Sequence, residues 1–190
     1  MSSLNLVRLG ALGALLAGVA WMVLGLVDMA TLGGRGSEAL NSAFLEETLY
    51  SVALVGTLGG VVGLHARQMP NYGRLGTAGF STAFTGTTIL LVGLILSFLA
   101  GGVFGRALLD PVLGAALWCV LVGFVLLGVA TLRLGALPRW CGVALIVCLP
   151  LAITFGDYGG GIVLGLLWLA VSYALFFQHD VSALLRSRKR

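Results

Sequence analysis

Charge is what this sequence has least of. Asp, Glu, Lys and Arg make up 9% of its 190 residues, where a soluble globular domain carries roughly 25%. A chain wrapped in a charged shell and dissolved in water is therefore excluded. Lysine is all but missing: Lys189 is the only one, which leaves no embedded amine for a retinal Schiff base. No acid, base or imidazole falls near the middle of any long apolar run, and proton relays and voltage sensors are built from such residues. The motifs H-E-x-x-H, G-x-S-x-G and the P-loop do not occur, and Glu46-Glu47 has none of the Arg and His partners that an intramembrane metalloprotease adds. The expectation is a protein that is not an enzyme.

Cysteine and histidine are also scarce. Cys119, Cys141 and Cys148 lie in apolar runs without a CxxC pair, so they make no disulfide framework and read as small apolar side chains. A redox pair of Cys119 and Cys148 at mid-depth would need a nearby cation to lower a thiol pKa, and none is near. His65 and His179 stand near the ends of even-numbered runs, where two imidazoles could hold a haem. Terminal histidines are more often interfacial polar groups, and the expectation is no metal and no cofactor.

Hydrophobic length is what the chain does have. Hydrophobic residues make up 59% of it, and mean hydropathy is +1.07. The residues fall into six apolar runs, approximately 9–27, 48–66, 75–103, 112–132, 138–155 and 158–177. Each is close to the ~20 residues that a helix needs to cross a bilayer core of ~30 Å. Only helices satisfy their amides within one such segment, and the alternation of a membrane barrel is missing. The first run is too long for a secretory signal core and has no Ala-x-Ala cleavage spacing after it. The sequence therefore predicts an all-α integral membrane protein, one domain of six transmembrane helices over 1–190. It also predicts an outer loop at 28–45 and a basic cytoplasmic tail at 178–190.

Orientation follows from arginine. With the amino terminus in the cytoplasm, Arg8, Arg67, Arg74, Arg133, Arg139, Arg186, Arg188, Lys189 and Arg190 lie inside, and only Arg35 and Arg106 lie outside. The positive-inside rule then gives an N-in/C-in topology. The same distribution explains the net charge of +4 without nucleic acid. Four tail charges, Arg186, Arg188, Lys189 and Arg190, contribute up to about 1 kcal/mol each against an anionic leaflet, so their expected contact is lipid head groups. Arginine-rich, glycine-rich composition suits a bacterial plasma (inner) membrane. Asp28, Glu38, Glu46, Glu47, Asp110 and Asp157 fall on the outer side. Glu46/Glu47, Asp110 and Asp157 are expected to cap helix starts there, with Pro111 at a first helical position. A helix continuing from Glu38 to Arg67 would outrun the membrane and project from its outer surface.

The chain echoes itself. Arg8-Leu9-Gly10-Ala11-Leu12-Gly13 and Arg74-Leu75-Gly76-Thr77-Ala78-Gly79 share RLGxxG, and a third RLG occurs at Arg133-Leu134-Gly135. Three tandem hairpins, helices 1–2, 3–4 and 5–6, are one reading. Independent use of RLG at cytoplasmic helix starts is the other.

The densest set of polar atoms in an apolar run is Thr77, Ser81, Thr82, Thr85, Thr87 and Thr88, in a stretch with no charge between Arg74 and Arg106. Thr77, Ser81, Thr85 and Thr88 share one helix face. With Thr57 of the second run they are the candidates for a ligand path. The bland alternative is close packing of spans 2 and 3 through Gly56, Gly59, Gly60 and Gly63, with hydroxyls bonded back to carbonyls. Pro150 should kink the fifth span, and Gly159-Gly160-Gly161 could admit a close neighbour. Trp140 and Tyr158 read as interfacial anchors, Trp118 and Trp168 as packed.

The leading expectation is a non-enzymatic accessory or assembly component of the plasma membrane that works with other membrane proteins or with itself. A channel or facilitator for a small neutral solute along the Ser/Thr face is the alternative. A lipid- or quinone-linked enzyme, which would have to recruit Glu46, Glu47 and Asp157, comes third.

Overall fold

The computed structural model describes residues 3–32, 39–69, 73–99, 103–135 and 137–187. Among them are six helices and no strand: α1 (Ser3–Leu32), α2 (Ala39–Gln68), α3 (Gly73–Leu99), α4 (Val103–Leu134), α5 (Arg139–Phe155) and α6 (Gly160–Ser187). Four contain stretches long and apolar enough to cross a membrane, namely Asn5–Ala30, Leu45–Gln68, Gly73–Leu99 and Leu109–Leu134. Arg139–Phe155 and Gly160–Phe176 are apolar but shorter. Between α5 and α6 the chain reverses in a single 3-10 turn, Gly156–Tyr158, with Gly156 at φ +47° and Gly159 at φ +109°. Only glycine adopts those angles without steric cost.

Each helix packs on its neighbour in the chain, and α6 returns to α1, closing a ring of six. The pairs α1–α2, α3–α4 and α1–α6 are the most extensive. Their residue pairings run in opposite directions: Gly10 with Gly63 and Gly56 with Ala17, Gly79 with Leu127 and Gly93 with Leu113, Gly18 with Leu169 and Gly25 with Gly161. All three pairs are antiparallel. The first two RLGxxG segments thus open two closely packed hairpins, whereas α6 meets α1 more extensively than it meets α5.

The glycines of α2 face a different partner from the one the sequence suggests. Gly56, Gly59 and Gly63 lie against Gly10, Gly13 and Ala17 of α1, not against α3. Gly79 and Gly86 of α3 lie against α4. The reason is that α1 carries small residues on two faces and so meets α2 through one and α6 through the other. Small residues let backbones approach and gain dispersion contacts along the seam.

The acids expected to cap helix starts do not stand at them. α2 begins at Ala39, as a helix continuing from Glu38 would, and α4 at Val103, which places Glu46, Glu47, Asp110 and Pro111 about two turns inside their helices. Capping and the helix dipole act within the first turn, so Glu46, Glu47 and Asp110 are not caps, and Pro111 is an interior proline. α4 reaches back past the apolar run 112–132 through Val103–Pro111, a stretch interrupted by Arg106 and Asp110. The loop residues 33–38 and Arg188, Lys189 and Arg190 of the tail lie outside the described set, as do the side chains of Arg106, Asp157, His179 and Arg186.

Large apolar side chains face outward. Leu9, Leu12, Leu16, Val19, Val92, Ile95, Val122 and Val143 are exposed, while Ala11, Ala14, Ala17, Ala53 and Ala83 are buried. Trp118 is 68% exposed and Cys119 is exposed, against the expectation that both are packed. Trp168 is 1% exposed and Cys141 is buried.

At the end where α2 and α4 finish, a polar contact crosses the ring. Gln68 Nε2 donates to Thr131 Oγ1 at 2.8 Å, and the Thr131 hydroxyl donates in turn to Leu127 O at 2.8 Å. Gln68 is 1% exposed, and its Oε1 has no hydrogen-bond partner among the described residues. Thr131→Val removes the acceptor and should destabilise the bundle by about 1–3 kcal/mol, the cost of a buried donor left unpaired. Gln68→Met in that background should restore most of the loss. Thermal unfolding in detergent reads both, and an additive double variant would contradict the contact.

Candidate functional site

The ring of helices encloses a partly open cavity of about 260 Å³, and every helix contributes to its wall. Helical spacing explains the lining. From α1 come Trp21, Leu24 and Asp28; from α2, Tyr50, Leu54 and Thr57; from α4, Leu117, Val120 and Phe124. Each set has steps of three or four residues, which keep side chains on one helix face. α3 adds Thr87 and Leu90, α5 adds Leu149, Ala152 and Ile153, and α6 adds Gly160, Gly161, Leu164 and Trp168. The cavity reaches from the Trp168 level to the end of the bundle that holds the Gly156–Gly160 turn.

Trp168 and Phe124 form the floor, edge to face, with ring centroids 5.8 Å apart at 71°. The Trp168 ring crosses from α6 to lie on Gly60 of α2, where a Cβ would be 2.8 Å from Cε3. Trp21 forms part of the wall. It meets Tyr50 edge to face at 5.0 Å and 72°, and its Nε1 donates to Thr57 Oγ1 at 3.3 Å. These contacts tie α1 to α2 across the seam and fix the indole beside the cavity. The Thr87 hydroxyl donates to Ala83 O at 2.8 Å. Asp28 and Tyr50 are near enough to interact electrostatically, and Asp28 supplies the one formal charge among the described lining residues.

The sequence-derived candidates divide here. Thr57 lines the cavity. Thr77, Ser81 and Thr85 are exposed on the surface of α3, and Thr88 is half-buried; none of the four lines the cavity. Three of the hydroxyls serve their own helix: Thr77 donates to Gly73 O at 3.2 Å, Ser81 to Ala78 O at 3.1 Å and Thr88 to Phe84 O at 2.8 Å. The inward face of α3 is Gly76, Gly79, Ala83, Gly86 and Thr87, one residue round from the predicted stripe. Asp28, Tyr50 and Trp21 were not singled out by sequence. Their signal was a seven-residue recurrence on two adjacent helices, Trp21 to Asp28 and Tyr50 to Thr57, which puts an aromatic and a polar group on each of two facing stripes.

His65 lies outside the cavity, stacked on Phe80 of α3 with centroids 3.9 Å apart. Among the described residues no three His, Cys, Asp or Glu side chains gather as a metal site would require. A shallower groove of about 170 Å³ lies between α2 and α3, lined by Glu47, Thr48, Ser51, Leu94, Ile95, Phe98 and Leu99. Comparison with family models, with curated proteins and with solved structures finds no match to this chain. The fold itself defines a helical bundle with several helices long and apolar enough for a multi-pass membrane protein.

Proposed function

We propose that the chain is a non-enzymatic, multi-pass protein of the plasma membrane that holds a small, mostly apolar ligand in the cavity at the centre of its ring. The observation that carries this reading is the cavity itself, a pre-formed space to which all six helices contribute an aligned stripe. Binding sites in helical membrane proteins form between helices in this manner, as mostly apolar pockets with a few placed polar groups. The wall is aromatic and aliphatic, with Asp28, Tyr50, Thr57 and Thr87 as its polar groups. A panel of hydrophobic solutes should raise the melting temperature of the purified protein in neutral detergent and quench its tryptophan fluorescence. Ala152→Trp, which fills the space, should remove both effects. Unchanged responses in that variant would show binding elsewhere.

Membrane insertion is supported by the belt of exposed Leu, Val and Ile. In water it would far exceed the few hundred Å² of apolar patch that a soluble monomer exposes. The arginine distribution supports six spans with both termini in the cytoplasm. α5 and the apolar part of α6 are short, about 25 Å each, and cross by virtue of packing within the ring. Alkaline phosphatase fused after residue 33 should be active and after residue 70 inactive. Activity at 70 would reverse the topology.

A role as an accessory component has its own support. The exposed Thr77, Ala78, Ser81 and Thr85 of α3 form a surface strip of small residues, the texture of helix–helix contacts in membranes. Cysteine placed at Thr85 should cross-link in native membranes to a copy of the chain or to another membrane protein. Absence of any adduct would remove this role and leave the cavity reading intact.

A further inference from the structure

We propose that the occupant of the cavity is the apolar tail of a membrane lipid, which enters sideways from the bilayer between α2 and α3. This rests on the reading that the cavity holds a ligand, and goes on to name the ligand's class and its way in.

The seams of the ring are not equally closed. Along α1–α2, α1–α6, α3–α4 and α4–α5, glycines stand against the backbone of the neighbouring helix. At α5–α6 a Cβ on Gly160 would run into Ala152 O, which shuts that seam beside the turn. The α2–α3 seam is built differently. Gly56, Gly59, Gly60 and Gly63 of α2 face α1 and α6, and Gly79, Gly86 and Gly93 of α3 face α4. His65 stacked on Phe80 pins α2 to α3 at one end. Towards the other end the groove of about 170 Å³ lies between the two helices. Side chains that fill a seam turn aside by changing rotamer, whereas apposed backbones part only if whole helices move.

Groove and cavity flank the same length of this seam. Tyr50 lines the cavity and Ser51 the groove; Leu90 lines the cavity and Leu94, one turn on, the groove. The groove belongs to the lipid-facing belt, because Ile95, Phe98 and Leu99 in its wall are exposed. The cavity lies behind it, towards the centre of the ring.

The chemistry of both spaces suits a hydrocarbon tail. At this seam the surrounding solvent is itself hydrocarbon, so a tail enters without losing hydration. A polar solute would lose its hydration and find few partners. Thr57 Oγ1 already accepts from Trp21, and Thr87 already donates to a carbonyl. Glu47, Thr48 and Ser51 give the groove a polar wall on α2, beside which the head-group end of the lipid lies. Size divides the molecule between the two spaces. A cavity of about 150 Å³ holds benzene, so one of 260 Å³ takes about ten heavy atoms. The end of a longer tail fills the cavity and the rest lies in the groove.

The test uses the full-length protein in vesicles. Trp118→Phe and Trp140→Phe remove two exposed indoles and leave Trp21 and Trp168 at the cavity. Phosphatidylcholine dibrominated in one acyl chain should quench these two indoles relative to vesicles of the unbrominated lipid. Ser51→Cys and Leu94→Cys stand on opposite walls of the groove, in a background with Cys119, Cys141 and Cys148 replaced by alanine. Joining them with a short bifunctional methanethiosulfonate should remove the greater part of the quenching, and reduction should restore it. Ser51→Phe, which fills the groove without a cross-link, should have the same effect and serves should the cysteine pair fail to fold. Quenching that survives both the cross-link and Ser51→Phe overturns the route between α2 and α3. Absence of quenching in a protein that hydrophobic solutes still stabilise in detergent overturns the lipid tail and leaves the cavity reading standing. Neither quenching nor stabilisation overturns the cavity reading itself.

Discussion

Gly10→Leu is expected to prevent the bundle from forming, whereas Gly114→Leu leaves it unchanged. A Cβ at Gly10 would run into Gly63 Cα, 2.7 Å from Gly63 N and 3.0 Å from Gly59 O. All three atoms are backbone of α2. A flexible side chain can turn aside from an intruding methyl, but a helix backbone cannot, so the only relief is to move α2 away from α1. That movement also opens the neighbouring contacts on the same seam, where a Cβ at Gly13 would be 2.9 Å from Gly59 Cα and one at Gly56 would be 2.6 Å from Ala17 N. The hydrogen bond from Trp21 to Thr57 and the Trp21–Tyr50 contact span the same interface. The loss should exceed about 4 kcal/mol, the range reached only when a core is overpacked or broken. Where the total stands near the low end of the typical 5–15 kcal/mol, such a loss would leave little folded protein.

Gly114 on α4 has nothing within 4 Å of its Cβ position, and substitution there should stay within about 0.5 kcal/mol. Size-exclusion profile and thermal unfolding of the two variants side by side decide the matter. A Gly10→Leu protein that is monodisperse and melts near the wild type would mean that α1 and α2 do not meet as described.

The contrast between these two glycines marks where sequence reading stops. Period and hydropathy are local properties, so the six helices, the absence of charge within the runs and the length of α2 beyond its apolar part could be read directly. Partner choice is not local. α3 carries two small-residue stripes side by side, Thr77–Ser81–Thr85 and Gly76–Gly79–Ala83–Gly86, and the pattern alone does not say which faces inward. Physical chemistry does offer a criterion. A threonine on a helix can satisfy its hydroxyl on a carbonyl of the preceding turn, as Thr77 and Thr88 do, so it needs no neighbour. A glycine gains nothing from exposure and loses helix stability, so a recurring glycine stripe is the better predictor of the packed face. Helix starts failed for a different reason. Glu46, Glu47 and Asp110 sit where the apolar runs begin, and capping there requires the helix to begin with the run. The helices extend beyond the runs by about two turns. As for the cavity, Thr57 was legible as a polar atom among glycines, but Asp28 and Tyr50 become a pair only once α1 and α2 are docked in register.

The second large effect is expected at the cavity floor, where Trp168 and Gly60 depend on each other. Trp168→Ala removes the largest fully buried side chain and should cost about 3–5 kcal/mol, because the surrounding helices can close only part of the space. Gly60→Ala alone should also destabilise. Its methyl would meet Cζ3 of the Trp168 ring and lie 2.8 Å from Cε3, with Ala14 Cβ at 3.2 Å on the other side. The indole lies between α2 and Phe124 of α4, so it can yield only by giving up the Phe124 contact and turning into the cavity. In the Trp168→Ala background that obstacle is gone. The added methyl then meets only Ala14 and partly fills the vacated space, while alanine is favoured over glycine in a helix by about 1 kcal/mol. The two substitutions should therefore be strongly non-additive, with an interaction energy of about 1–3 kcal/mol in the direction of mutual relief. The four proteins of the cycle, compared by thermal unfolding, give that energy directly. Effects that add to within about 0.5 kcal/mol would separate the indole from Gly60. Loss of the floor should also lengthen the ligand space: Trp168→Ala should accept a solute one ring longer than any the wild type binds, at the end away from Asp28.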